Sequence, residues 1–152
     1  MTASGFGTQF STFSVGEQFF GIDVLRVQEV LRYQEMTRIP LAPAVTAGLI
    51  NLRGQIVTTI DMRRRLGLVE RPPEQAPMNM VVRTDEGPVS LLVDEIGDVL
   101  QPDGGAFEPP PDSLPQSMRE LIHGVYKLKD RLLLVLNSEK VLDVSEFLQS
   151  RE

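Results

Sequence analysis

The 152-residue chain has no cysteine, no tryptophan and one histidine, and no apolar run longer than the five residues Leu132 to Leu136. Without cysteine there can be neither disulfides nor thiolate metal sites, which fits a reducing compartment. The lone His123 rules out an imidazole pair for a metal and leaves no evident Ser-His-Asp set. Next to Gly124 it reads as a loop or helix-end side chain. A run of five falls far short of the ~20 residues that span a bilayer, so no membrane insertion is expected. Met1 to Gly5 has neither a basic start nor an apolar stretch, and no signal peptide is read there. Aromatics make up 6% of the residues and the formal charge is −6. Both disfavour a nucleic-acid partner, because phosphate binding relies on clustered Lys and Arg.

Catalytic signatures are also missing. Gly5-Phe6-Gly7 lacks the third glycine of a dinucleotide fingerprint and does not follow a strand. There is no nucleophile elbow and no phosphate-binding lysine motif. Asp94, Glu95 and Asp98 read as a solvated acidic edge rather than a metal cluster, since strand neighbours point to opposite faces. Arg63-Arg64-Arg65 reads as a solvated helix face beside Asp61. The expectation is no catalytic residue, no metal and no cofactor. What remains is an ordinary globular composition, 41% apolar and 24% charged.

The sequence does contain a repeat. Gly48 to Leu68 (GLINLRGQIVTTIDMRRRLGL) lies without a gap over Gly124 to Val144 (GVYKLKDRLLLVLNSEKVLDV), at an offset of 76. Only three positions are identical, but the agreement of apolar and turn positions is stronger. Each copy reads strand, tight turn, strand, cap residue, short helix. Upstream, Phe13 to Val30 lies over Val82 to Val99 at an offset of 69. There a polar turn joins two segments rich in β-branched, aromatic or apolar residues, the pattern of a hairpin. The repeat predicts a mainly β fold of two small barrels, residues 9–68 and 78–144, with boundary strands open to sharing. The Pro-rich stretch 69–77 connects them.

Eight strands are predicted: 9–15, 18–24, 48–52, 55–60, 80–83, 89–93, 124–128 and 131–136, with room for a fifth in each unit. Asp61 suits a helix N-cap ahead of 62–66, with Gly67 ending the helix. Asn137 or Ser138 suits the same role ahead of 139–142. Val27, Val30 and Leu31 recur at three and four residues, predicting a helical turn over 25–31. Residues 101–117 read as a partly extended insertion, with a short helix over 117–122. At Leu52-Arg53-Gly54, glycine can take positive φ at no steric cost. Arg53 at the tip is then either a solvated turn residue or a free guanidinium able to make a forked contact. The apolar face of Val24, Val27 and Val30 is likewise either core or an exposed groove.

The run GLINLRGQIVTTIDMRRRLGL, the earlier FFGIDVLRVQEV with TRIPLAP after it, and SLLVDEIGDVL resemble the CheW family of bacterial chemotaxis adaptors over residues 9 to 144. The resemblance implies two five-stranded SH3-like barrels with short helices and no catalysis. It implies two partners, the cytoplasmic tip of transmembrane chemoreceptors and the regulatory domain of a CheA-type histidine kinase, met at membrane-associated arrays in the cytoplasm. Val27 matches an apolar position of the family's receptor-binding region, and Arg53 matches the arginine of its NLRG turn. Gly48 and Gly54 match backbone positions that support that turn. Thr58 departs from the family's usual proline, which leaves open whether its strand is an edge. No residue is assigned to a kinase-binding face. A regulatory module of another two-component pathway and, further off, a small β-barrel nucleic-acid binder or a shallow-site hydrolase are the alternatives. A receiver domain has no room in this length.

Overall fold

The computed structural model describes residues 9–102 and 107–143; Gly5-Phe6-Gly7 lies outside them. In chain order the elements are β1 (Phe10–Val15), β2 (Gln18–Asp23), a 3-10 turn (Val24–Arg26), β3 (Val27–Arg32), β4 (Thr46–Leu52), β5 (Gln55–Asp61) and α1 (Met62–Arg65). The second half supplies β6 (Met78–Thr84), β7 (Gly87–Val93), β8 (Glu95–Leu100), β9 (Phe107–Glu108), α2 (Gln116–Arg119), β10 (Ile122–Lys127), β11 (Leu132–Leu136) and α3 (Ser138–Leu142). The fold is mainly β, and each of the eight expected strands forms. One sheet runs β8-β1-β2-β11-β10-β9 and the other β3-β6-β7-β5-β4. They are called sheet A and sheet B below.

The repeat is visible in the hydrogen-bond register. In β4–β5, Thr46 pairs with Ile60 and Gly48 with Thr59, with a bulge between. In β10–β11, Ile122 pairs with Leu136 and Gly124 with Val135, again with a bulge between. Every one of these positions is shifted by 76. Asp61 and Asn137 both cap the helix that follows. The Asp61 carboxylate accepts from the Arg63 and Arg64 amides, and the Asn137 side chain from the Lys140 amide. Each satisfies first-turn N–H groups that lack intrahelical partners.

The two sheets are not the stretches 9–68 and 78–144 taken whole, because strands are shared across that boundary. β5 pairs in parallel with β7, Thr58 opposite Val89, while β11 pairs in parallel with β2, Leu134 opposite Phe20. Each half therefore gives its hairpin to the other half's sheet. Sheet B is the continuous stretch from Val27 to Val93, and sheet A is assembled from β1–β2 and the strands after residue 94.

The exchange follows from where apolar area is buried. The largest cluster takes Phe13, Phe20, Ile22, Leu134 and Leu136 from sheet A, and Ile60, Met80, Val82, Leu91 and Val93 from sheet B. A satellite cluster lies on each sheet's other side: Phe10, Phe19, Leu133 and Val135 in sheet A; Ile50, Leu52, Val57 and Val81 in sheet B. Strands such as β11 are thus buried on both faces, which is why LLLVL reads as an unbroken apolar run. A fully buried Leu such as Leu134 contributes about 1.5–3 kcal/mol.

The predicted helical turn over 25–31 is corrected. Helical geometry is confined to Val24–Arg26, and Val27–Arg32 is a strand. Val27 pairs with Val82 and Val30 with Met80, with a register shift between Val27 and Glu29. The extra residue puts Val27 and Val30 on one face at a spacing of three, so a bulged strand imitates a helix. The short helix expected over 117–122 begins and ends earlier, at Gln116–Arg119, because Ile122 already pairs in β10.

Candidate functional site

β4 and β5 are joined by a two-residue loop, with Leu52 opposite Gln55. Arg53 and Gly54 both have positive φ, 52° and 89°. Two left-handed residues in succession define the type I′ turn, whose twist matches that of the flanking strands. The Asn51 side chain accepts from the Gly54 amide at 2.8 Å and holds the turn. Gly54 has its predicted role, while Arg53 takes a conformation unusual for a residue with a side chain.

The Arg53 guanidinium is not free. It makes a forked contact with Glu29 of β3, Nη1 donating to Oε1 at 3.2 Å and Nη2 to Oε2. β3 and β4 are the two edges of sheet B. The pair therefore links the opposite edges of the sheet. Thr37 reinforces the link by bridging to Leu49 of β4 through two backbone hydrogen bonds. The hydrogen bonds from Arg53 hold the Glu29 carboxyl below its ordinary range, and Glu29 in turn raises the Arg53 guanidinium. The Arg53 side chain stays 67% exposed, against 23% for Glu29. One edge of the guanidinium is engaged, and most of the side chain remains in solvent.

Apolar residues stand at nearby positions on the same strands. Val27 is half-buried against the main core, Val30 is exposed, and Ile56 of β5 is 60% exposed. The two readings of the Val24, Val27 and Val30 face are thus divided among its members: Val27 packs on the main core, while Val30, on the same face, is exposed. Gly48 lies against the 36–37 segment that bridges to β4. A Cβ there would stand 2.8 Å from the Thr37 carbonyl oxygen, so only glycine lets the closing segment approach. Thr58 lies on an interior strand, since β5 pairs with both β4 and β7. A proline there would lose a ladder hydrogen bond.

Two readings of charge change. Arg63 is buried, and of the three arginines only Arg64 is exposed as expected. Arg65 turns inward across the repeat, donating to the Val141, Lys140 and Asp143 carbonyls at the end of α3. Asp94 is 5% exposed, whereas Glu95 and Asp98 face solvent. Its carboxylate accepts from Arg63, Arg71 and the Gly16 amide. Alternation along a strand could not reveal this, because Asp94 sits where the chain leaves β7 and has not yet entered β8. His123 lies in β10 rather than in a loop, and burial lowers its pKa. Among the described residues no group of three His, Cys, Asp or Glu is placed to hold a metal. No described helix is long and apolar enough to cross a membrane.

Sequence reasoning missed Glu29 and the partners of Asp94. The repeat did contain a signal for the first. The two offsets place Arg53 on Lys129 and Glu29 on Asp98, so both halves have a cation at the turn and an acid on the edge strand.

The chain thus folds as two interlocked β-sheets that share one core, with an ion-paired hairpin tip on the surface. The CheW-like domain model matches residues 9–146. The chain is 31% identical over 140 residues to the chemotaxis protein CheW of Klebsiella aerogenes, covering 92% of this chain and 84% of that one. To the chemotaxis protein CheW of Treponema pallidum it is 29% identical, with coverage of 91% and 84%. The crystal structure of the scaffolding protein TtCheW from Thermoanaerobacter tengcongensis superposes with a TM-score of 0.79 at 27% identity, covering 91% of this chain and 94% of that one. The chain belongs to the CheW-like domain family.

Proposed function

We propose that this protein is a non-catalytic chemotaxis adaptor that joins the cytoplasmic tip of transmembrane chemoreceptors to the regulatory domain of a CheA-type histidine kinase. It would work in the cytoplasm at membrane-associated receptor arrays. Family membership supports the general role. The observation that supports the finer reading is the Arg53 hairpin tip, a forked cation on a type I′ turn, two-thirds exposed, with the exposed apolar residues Val30 and Ile56 on the strands beside it. Apolar side chains beside a planar guanidinium are the usual makings of an interface hot spot. Arg53 and Val27 are assigned to the receptor-binding face, and Gly48 and Gly54 to its support. The kinase-binding face is left unassigned.

Reconstitution tests this. Kinase, receptor and adaptor are combined, and autophosphorylation is followed with and without receptor ligand. Removing the adaptor should abolish ligand control of the kinase. The same kinase activity and ligand response without it would reject the proposal.

A further inference from the structure

We propose that Asp94 is a positioning residue, a clamp that fixes the angle between the two sheets so that they move as one body. The functional half of this rests on the adaptor reading; the mechanical half does not.

The chain crosses between sheets twice, at the 3-10 turn before β3 and at Asp94 between β7 and β8. At the second crossing three segments with no shared strand pairing meet on one carboxylate. From sheet A, the Gly16 amide in the β1–β2 turn donates to Oδ2 at 2.7 Å, while the Asp94 amide donates to the Ser14 carbonyl at 3.0 Å. From α1, which follows sheet B's β5, Arg63 reaches both oxygens, Nε to Oδ1 at 3.0 Å and Nη2 to Oδ2 at 2.6 Å. From the 69–77 connection, Arg71 Nε donates to Oδ1 at 2.8 Å. Arg63 Nη1 also donates to the Val69 carbonyl at 3.2 Å and so draws the connection onto the joint.

The three side chains are 4%, 10% and 9% exposed. The main core between the sheets is apolar, and apolar burial is non-directional. Forked guanidinium–carboxylate bonds are directional, so they can set an angle that the core alone leaves soft. The arrangement is one-sided. The offset of 69 places Asp94 on Leu25, which is 75% exposed; the first crossing is held by Arg83 donating to the Leu25 and Val27 carbonyls, the Val24 amide to the Gln9 carbonyl and the Leu25 amide to Asp23, and among the described residues no buried carboxylate gathers them. A clamp at one crossing and not the other is what holds two bodies at a set angle about a hinge.

The absence of cysteine makes the test clean. Lys129→Cys in the β10–β11 turn and Gln55→Cys at the start of β5, both exposed sites, are spin-labelled, and the inter-label distance distribution is measured by pulsed electron resonance. The otherwise unaltered protein should give one narrow distribution. Asp94→Asn should broaden it about twofold, and Arg71→Met by less, while amide exchange within each sheet stays protected. An unchanged width in folded Asp94→Asn protein would overturn the clamp. Should that variant fail to fold, an unchanged width in Arg71→Met overturns it. Without the labels, the same substitutions should leave binding to isolated receptor or kinase near wild type but lose ligand control of the kinase. Because the distance measurement needs no partner, broadening combined with a kinase indifferent to the adaptor would uphold the clamp and reject the adaptor reading.

Discussion

Gly48 and Gly124 occupy the same place in two copies of one bulged hairpin, and each is pressed against a carbonyl oxygen from a crossing segment, Thr37 for Gly48 and Glu108 for Gly124. Sequence identity between the copies is low, but this close approach survives in both because neither site has room for a Cβ.

Alanine at these sites should therefore cost more than alanine at a merely left-handed glycine. Gly48→Ala forces backbone to move and should lose more than about 2 kcal/mol in urea unfolding. Gly54→Ala meets nothing within 4 Å and is strained only by its φ of 89°, so about 1 kcal/mol is expected. Equal losses for the two would contradict the packing account.

Acid should weaken the fold through Asp94. Burial pushes its carboxyl upward, but the hydrogen bonds from Arg63, the Gly16 amide and Arg71 together bring it below the ordinary range. With the folded value depressed, the unfolded chain binds the proton more readily. The contribution is fully present above the unfolded value of about 3.9 and is lost as pH falls through the lower folded value. Unfolding measured from neutral pH down past 3 should show this decline, and Asp94→Asn should remove its part of it. At neutral pH the same change, which leaves two buried guanidinium groups without their carboxylate, should cost roughly 3 kcal/mol.

Arg53→Ala should leave the melting temperature nearly unchanged, since the pair with Glu29 is largely solvent-exposed and such pairs add little to stability. Receptor coupling should fall by about tenfold or more. Arg53→Lys should restore it only in part, because an ammonium lacks the planar fork. The charge swap Glu29→Arg with Arg53→Glu separates two roles. Recovery of coupling by the swap would mean that the link between the sheet edges is what matters, and the guanidinium itself would lose its place in the interface. Val27→Ala is the control and should damage stability and binding together.

The caps should be alike in size. Asp61→Ala and Asn137→Ala each remove a side chain that accepts first-turn amides, and each should cost about 1 kcal/mol in thermal or urea unfolding.

The strands, the caps and the hairpin turns were legible because each is written locally, in period-two runs, in a polar residue before a short helix, or in a glycine at a tip. The register of the repeat was legible because both copies bury the same positions. The exchange of β1–β2 with β6–β7 was not, since a hairpin's sequence specifies its own pairing and not the sheet it joins. The bulge at Gln28 misled for a related reason: it turns a strand's spacing of two into a helix's three. Arg63 and Asp94 read as solvated because charge in a sequence has no mark of its partner. Their burial depends on a meeting between residues 31 positions apart. The Arg53 turn was found from its glycine and its neighbours, while Glu29 went unnoticed on the far edge of a sheet whose closure no local pattern announces.

The reciprocal loan of hairpins also bears on how the gene can change. A crossover at 69–77 that joined the first half of one such protein to the second half of another would match every borrowed hairpin with a foreign host. Phe20 would meet an unfamiliar Leu134, and Val89 an unfamiliar Thr58. Substitutions in one half are therefore answerable to the other, and the two halves of this chain are bound to diverge in step rather than be shuffled as separate modules.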